Sequence, residues 1–325
     1  VMSIQQIVSS IVTEKASVGG IDSVIFVACG GSYSTLYPAK YFLDKNAKNL
    51  RVGHYTANEF MHATPAYAGR NSVVVTVSHH GNTPETVASA GKAREIGAAS
   101  ITLTFDEGSP LTEFGDHVIV YEWGADSDFG NSNVVLAMKL AVEILQRTEG
   151  YAGYEGFLSS CSMVDRVIKT ARKNTIAAAE QFAKDYKDEP VIYVLGSGTG
   201  FSAAYSFSVC ILMEMQWIHS SPIHSGEFFH GPFEITDPKV PFILLKSSGR
   251  TRVLDERVLK FLGTYGKKYI ILDSTELGLP EIGSEYSEYF DHIFFTAVLR
   301  QYAEKLAETR DHPLSLRRYM WKVEY

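Results

Sequence analysis

Short runs of β-branched and apolar residues alternate along the chain with longer segments whose apolar positions recur at helical spacing. This pattern predicts parallel strands joined by crossover helices. In the first half, strands are predicted at Val24 to Cys29, Arg51 to Tyr55, Ser72 to Ser78, Ile101 to Phe105 and His117 to Tyr121. The best-marked connection is a helix over Thr83 to Ile96, with Pro84 in its first turn and Gly97 closing its end. The second half repeats the scheme at Val191 to Leu195, Pro222 to His224, Pro241 to Lys246 and Tyr269 to Asp273, with a fifth strand expected near His292. The opening segments of the two halves, VIFVACGGSYSTLYPAKYFL from Val24 and VIYVLGSGTGFSAAYSFSVC from Val191, each read as strand, Gly/Ser-rich turn and helix. The expected fold is therefore α/β: one doubly wound parallel sheet with helices on both faces, present twice, each copy a three-layer αβα unit. Residues 1–150 form the first lobe and 191–325 the second. Between them, in 151–190, Val164, Val167, Ile168, Ala171, Ala178, Phe182 and Tyr186 fall on one face, which predicts a single long helix over Cys161 to Asp188.

Composition narrows the function. A formal net charge of -7 argues against a nucleic-acid partner, so any phosphate site has to be local. Three cysteines, Cys29, Cys161 and Cys210, make no CxxC or Cys/His zinc spacing, and no apolar run reaches the length of a membrane span. No leader-like segment opens the sequence, and a cytoplasmic location without membrane contact is expected.

Two strand-to-helix turns in the first lobe are candidate anion sites. SHHGNTPET, from Ser78, leads into a helix near Thr83, where free N–H groups and the positive end of the helix dipole meet the hydroxyls of Ser78 and Thr83. CGGSYS, from Cys29, brings Gly31 and Ser32 to the same sheet edge. His79 and His80 can add donors or, protonated, positive charge; equally, they can be a solvent-exposed loop pair. GSGTG at Gly196 resembles a dinucleotide loop, but a lone glycine cluster carries little weight and no cofactor is expected.

The densest polar segment is EMQWIHSSPIHSGEFFHGPFEI, from Glu214 to Ile235. ILMEMQW embeds Glu214 among bulky apolar side chains, which raises a carboxyl pKa toward the working pH, and His230 on the following loop can partner it in general acid-base transfer. His224, Glu227 and His230 could instead ligate a metal, but their spacing fits no common ligand motif and no metal is expected. His219 and His224 read as histidines satisfying a buried loop. The ending HPLSLRRYMWKVEY sets Arg317, Arg318 and Lys322 among aromatics, predicting a tail that packs down and brings a cation to a pocket or a neighbouring subunit.

CGGS, SHHGNT and GEFFHGP together resemble the SIS (sugar isomerase) family, and the likeness spans nearly the whole chain. The isomerase half of glucosamine-6-phosphate synthase has CGTS, SQSGET and a KHGP loop sixteen residues after its active-site glutamate, and Glu214 and His230 have the same separation here. The resemblance implies proton transfer by Glu214, assistance to ring opening by His230, and phosphate contacts from Ser32, Ser78, His80 and Thr83. It places Gly31, His79, Asn133, Glu227, Arg318 and Lys322 nearby as further substrate contacts. EMQWIHS, HSGEFFHGPFEI and RRYMWKVEY are most similar to the fructosamine-6-phosphate deglycases of this family. That likeness implies hydrolysis of a 6-phosphofructosyl amino acid to glucose 6-phosphate and the free amino acid, in a homodimer or larger homo-oligomer with shared sites. His80 and Asn82 depart from SQSGET, and Arg318 stands where the synthase has a lysine that forms a Schiff base. An aldose-ketose isomerase on a phosphosugar, or a non-catalytic phosphosugar sensor, would use the same fold.

Overall fold

Ser23–Ala28 forms β1, and every one of its residues is buried. The same holds for β3 (Ser72–Val77) and β4 (Ala99–Thr104). Continuous burial of Val, Ile and Thr is what parallel strands covered on both faces require. With β2 (Arg51–Thr56) and β5 (His117–Val120) they make a five-stranded parallel sheet in the order β2-β1-β3-β4-β5. The helices α1 (Ile4–Ala16), α2 (Gly30–Asn46), α3 (Ala57–His62), α4 (Pro84–Glu95) and α5 (Asn133–Thr148) belong to the same part of the chain. Packing of Phe60, Ala57 and Ala93 against Ile25, Val27 and Val74 gives this sheet a dry core.

The computed structural model describes residues 2–325 and divides into two compact units, Val1–Met163 and Val164–Tyr325, the division falling within α6 (Tyr154–Asn174). The second unit carries α7 (Ile176–Tyr186), β6 (Val191–Gly196), α8 (Gly198–Tyr205), β7 (His219–His224), β8 (Phe242–Lys246), α10 (Arg252–Tyr265), β9 (Tyr269–Asp273) and α11 (Ser287–Arg310), with the one-turn α9 (Glu214–Gln216) between α8 and β7. Its sheet runs β7-β6-β8-β9, all parallel, in the same order as the first four strands of the other unit. Phe228 and Phe242 centre its core with Leu195, Val258 and Leu262. The copied order supports duplication, and the backbone adds detail: Gly30 and Gly198 follow β1 and β6 at matching positions with φ of 54° and 52°. That match pairs Ser23 with Val191, one residue away from the pairing the sequence suggests.

Two expectations are corrected. The fifth strand near His292 is instead the interior of α11, where Phe290, Ile293, Phe294 and Phe295 are buried on more than one face. An apolar run buried all round has no periodicity to separate helix from strand. The single linking helix is two, because Thr175 leaves helical geometry (φ -103°, ψ 3°) and turns its hydroxyl back onto the carbonyl oxygens of Ala171 and Arg172. Among the described residues, no helix is long and apolar enough to cross a membrane.

Candidate active site

The order β2-β1-β3 reverses direction at β1, so the crevice between the carboxyl ends of β1 and β3 is the topological switch point where ligands of such sheets bind. Ala28 and Val77 are register partners, which brings Cys29 and Ser78 side by side as the chain leaves the sheet. Thr86, in the first turn of α4, donates to Cys29 Sγ at 3.7 Å and ties the two turns together. Ser78 is buried, and its hydroxyl lies 2.9 Å from that of Thr83. Thr83 is the N-cap of α4 but makes no side-chain cap bond, so the first N–H groups of α4 stay available. Pro84 at the helix start has no N–H to satisfy.

Gly81 is required here. Its φ is +60°, and a Cβ would stand 1.9 Å from Ser109 Oγ and 2.5 Å from Ser109 Cβ. Ser32 lies in the first turn of α2, and among the described residues its hydroxyl has no protein partner, whereas those of Ser34 and Thr35 fold back onto α2 carbonyls. Ser32, Ser78 and Thr83 are thus gathered at one sheet edge, with Gly31 beside them.

The two histidines of this turn have different surroundings. His80 is exposed, and its Nδ1 lies 2.7 Å from Asp106 Oδ2. With Nδ1 so engaged, Nε2 donates to an anion only when the ring is an imidazolium. His79 is stacked on Phe105 (5.1 Å between centroids, 11° between planes) and meets the edge of Trp123 at 4.9 Å. Its Nδ1 contacts Tyr121 Oη at 2.9 Å, and burial, with the neighbouring His80, pushes its pKa down. His79 is therefore a neutral aromatic platform. Asn133 reaches the same place from the first turn of α5 through a hydrogen bond to the buried Tyr121, while its Oδ1 accepts from Val134 N–H at 2.8 Å.

In the second unit, Glu214 follows an unusual stretch. Ser206–Met213 is π-helical, continuing α8 with one residue more per hydrogen-bonded turn, and Glu214 opens the single turn of α9 that follows. Such π segments are rare and occur mostly at functional sites. Trp217 then stops the helix in the left-handed region (φ 56°), and Ile218 N–H closes it on Leu212 O. Burial among the apolar residues of this stretch raises the Glu214 pKa, as expected from the sequence, but Arg317 of the C-terminal tail opposes that rise with an ion pair, Nη2 to Oε1 at 2.7 Å.

His230 is exposed on the loop after β7, ahead of the short 3-10 turn Pro232–Ile235, and among the described residues its ring has no partner. It is not hydrogen-bonded to Glu214. Glu227 is exposed in the same loop, and its N–H bonds to His224 O. Among the described residues, no group of three or more His, Cys, Asp or Glu is placed to hold a metal ion.

The sequence named Arg317 among the tail cations but did not single it out. Spacing from Pro313 singled out Arg318, but Arg318 lies over the Trp217 ring at 4.3 Å, and Lys322 donates to the Arg317 carbonyl oxygen at 2.6 Å. The tail aromatics Tyr319, Trp321 and Tyr325 are exposed on the single chain. The adjacent arginines were the available signal, and the turn that aims one of them could not be read.

The second unit also shows what became of its copy of the anion turns. Ser197 follows β6 as Cys29 follows β1, and Ser247 follows β8 as Ser78 follows β3. Asp255 of α10 accepts from Ser197 Oγ (2.8 Å) and Ser247 N–H (2.9 Å). Asp291 of α11 accepts from Ser247 Oγ (2.6 Å), Ser248 N–H (3.1 Å), Ser248 Oγ (3.1 Å) and Ser274 Oγ (2.6 Å). Both carboxylates are fully buried, and Thr199 of the GSGTG loop donates to Glu288 O. The donors that would hold an anion are already taken up by the chain's own carboxyl groups.

A doubly wound parallel unit with hydroxyl-lined turns at its switch point, present twice, is an architecture that receives small ligands at that sheet edge. The SIS domain model matches residues 20–145, and the chain belongs to the SIS domain family. Within it, the sequence is 45% identical to fructosamine deglycase FrlB of Bacillus subtilis (strain 168), over 94% of this chain and 93% of that protein. It is 27% identical to fructoselysine 6-phosphate deglycase of Escherichia coli (strain K12), over 79% and 74% respectively. A crystal structure from Salmonella typhimurium LT2, provisionally described as a phosphosugar isomerase, matches with a TM-score of 0.95 and 46% identity over 100% of this chain and 98% of that one.

Proposed function

We propose that this protein is a deglycase that hydrolyses a 6-phosphofructosyl amino acid to glucose 6-phosphate and a free amino acid. The observation that carries the chemistry is Glu214, a partly buried carboxylate with a raised pKa, presented at the end of a π-helical stretch. Likeness to two deglycases supports the choice of substrate class. In the open-chain form of such a substrate the C2 ketone acidifies C1–H. Removing that proton gives an enolamine, and protonating C2 gives a C1 imine. Water adds to the imine, and the carbinolamine collapses to the aldehyde and the amine. Glu214 and His230 are the acid-base pair for these transfers, and Ser32, Ser78, Thr83 and His80 bind the phosphate, anchoring the substrate away from its reacting carbons. Gly31, His79, Asn133, Glu227, Arg318 and Lys322 are further substrate contacts in this reading. Two or more copies of the chain assemble with shared sites in the cytoplasm, His230 serving its neighbour.

A panel of 6-phosphofructosyl amino acids, followed by glucose 6-phosphate release, tests the activity: release from at least one member is expected. Conversion of fructose 6-phosphate with no release from the panel would make the protein an isomerase, and tight binding without turnover a sensor. For the shared site, mixing Glu214→Gln and His230→Ala chains should restore part of the activity through heterodimers. No recovery after subunit exchange would assign both residues to one chain.

A further inference from the structure

The C-terminal tail is fastened to the Glu214 turn at several points. Gln216, fully buried, donates to His312 O at 2.8 Å, and Arg310 Nη2 reaches Gln216 O at 3.3 Å. The His312 ring meets Trp217 edge-on at 4.6 Å, and the Arg318 guanidinium covers Trp217. Arg317 is held in its turn by Nη1 donating to the carbonyl oxygens of Leu314 (2.7 Å) and Leu316 (3.0 Å), which leaves Nη2 aimed at Glu214 Oε1. Both partners are largely shielded, with side chains 18% and 23% exposed, so the ion pair is only weakly screened by solvent.

We propose that Arg317 is a positioning residue for Glu214: anchored by the tail, it fixes one carboxylate oxygen so that the other faces the proton to be moved. The proposal rests on the acid-base role given to Glu214 above. Its chemical content is a choice of starting state. A carboxylate in apolar surroundings tends to hold its proton, and a guanidinium on one oxygen favours the ionised form, so Glu214 enters the reaction as the base. The other titratable group facing it is Cys210, on the preceding π turn. Burial, with Glu214 beside it, pushes the Cys210 thiol up to about 12, so Cys210 stays neutral and adds no like charge beside the carboxylate. Arg310 and Arg318 are engaged with Gln216 and Trp217, leaving Arg317 as the cation on the carboxylate.

The test compares wild type with Arg317→Met and Arg317→Lys. In Arg317→Met the acid limb of kcat/KM should move up by about one to three pH units, with Arg317→Lys lying between it and wild type. Titration of the Glu214 carboxyl by carbon NMR, assigned by loss of its signal in Glu214→Gln, should show the same upward displacement. The NMR reading needs no turnover, so it separates this proposal from the assignment of substrate. An unmoved midpoint in Arg317→Met overturns the proposal, as does an activity loss that follows Tm with the limb in place.

Discussion

Glu214→Gln is expected to lower kcat for amine release by about two to four orders of magnitude, the range that a positioned acid-base group contributes. Glutamine keeps the volume and can still accept from Arg317 Nη2, so the tail contacts and the fold should survive with little change in Tm. What it loses is the capacity to take a proton. Because burial raises the pKa of Glu214, the base form in the wild type is lost as pH falls through a value above its ordinary one. The acid limb of kcat/KM should therefore disappear with the substitution. His230→Ala, which removes an exposed side chain, should lower kcat on the same scale without disturbing packing. Most of the activity surviving in either variant, measured at saturating substrate, would remove that residue from the mechanism.

The second large effect is on stability and centres on Asp291. Burial raises its pKa from 3.8 to about 7, against the hydrogen bonds from Ser247, Ser248 and Ser274. The folded-state value lies above the unfolded one, so the associated stabilisation is fully present below pH 3.8 and is lost as pH rises through about 7. A displacement of this size corresponds to roughly 4 kcal/mol. Asp255, raised to about 6, adds in the same direction. The second unit should consequently be more stable at pH 5 than at pH 8, and Asp291→Asn should flatten that dependence. Asp291→Ala should cost about 3 kcal/mol or more even at pH 5, because Ser248 N–H and the serine hydroxyls lose their buried acceptor. Urea midpoints at the two pH values decide it: equal midpoints in wild type, or an unchanged slope in the asparagine variant, would contradict the account.

Most of the strands and the strand-to-helix turns were legible because each rests on local chemistry. Buried parallel strands announce themselves as β-branched runs, and the turns as Gly and hydroxyl residues before a helix. Glu214 was legible because a carboxylate inside ILMEMQW conflicts with its neighbours. Its presentation was not, since the π segment Ser206–Met213 has the same residue types as an α-helix and changes which face each side chain occupies. Arg317 was hidden for a related reason. Which of two adjacent arginines meets a carboxylate depends on the left-handed turn at Asp311 and the path of the tail beyond it, and spacing from Pro313 carries no information on either. The helix around His292 was misread because burial on all sides erases the periodicity that separates a helix from a strand.

The filled cradle of the second unit bears on how the two copies diverged. A carboxylate carried on α11 is an intramolecular ligand, present at an effective concentration that free phosphate does not reach. The second copy is thus a cradle whose ligand is carried on the same chain, subject to neither supply nor release.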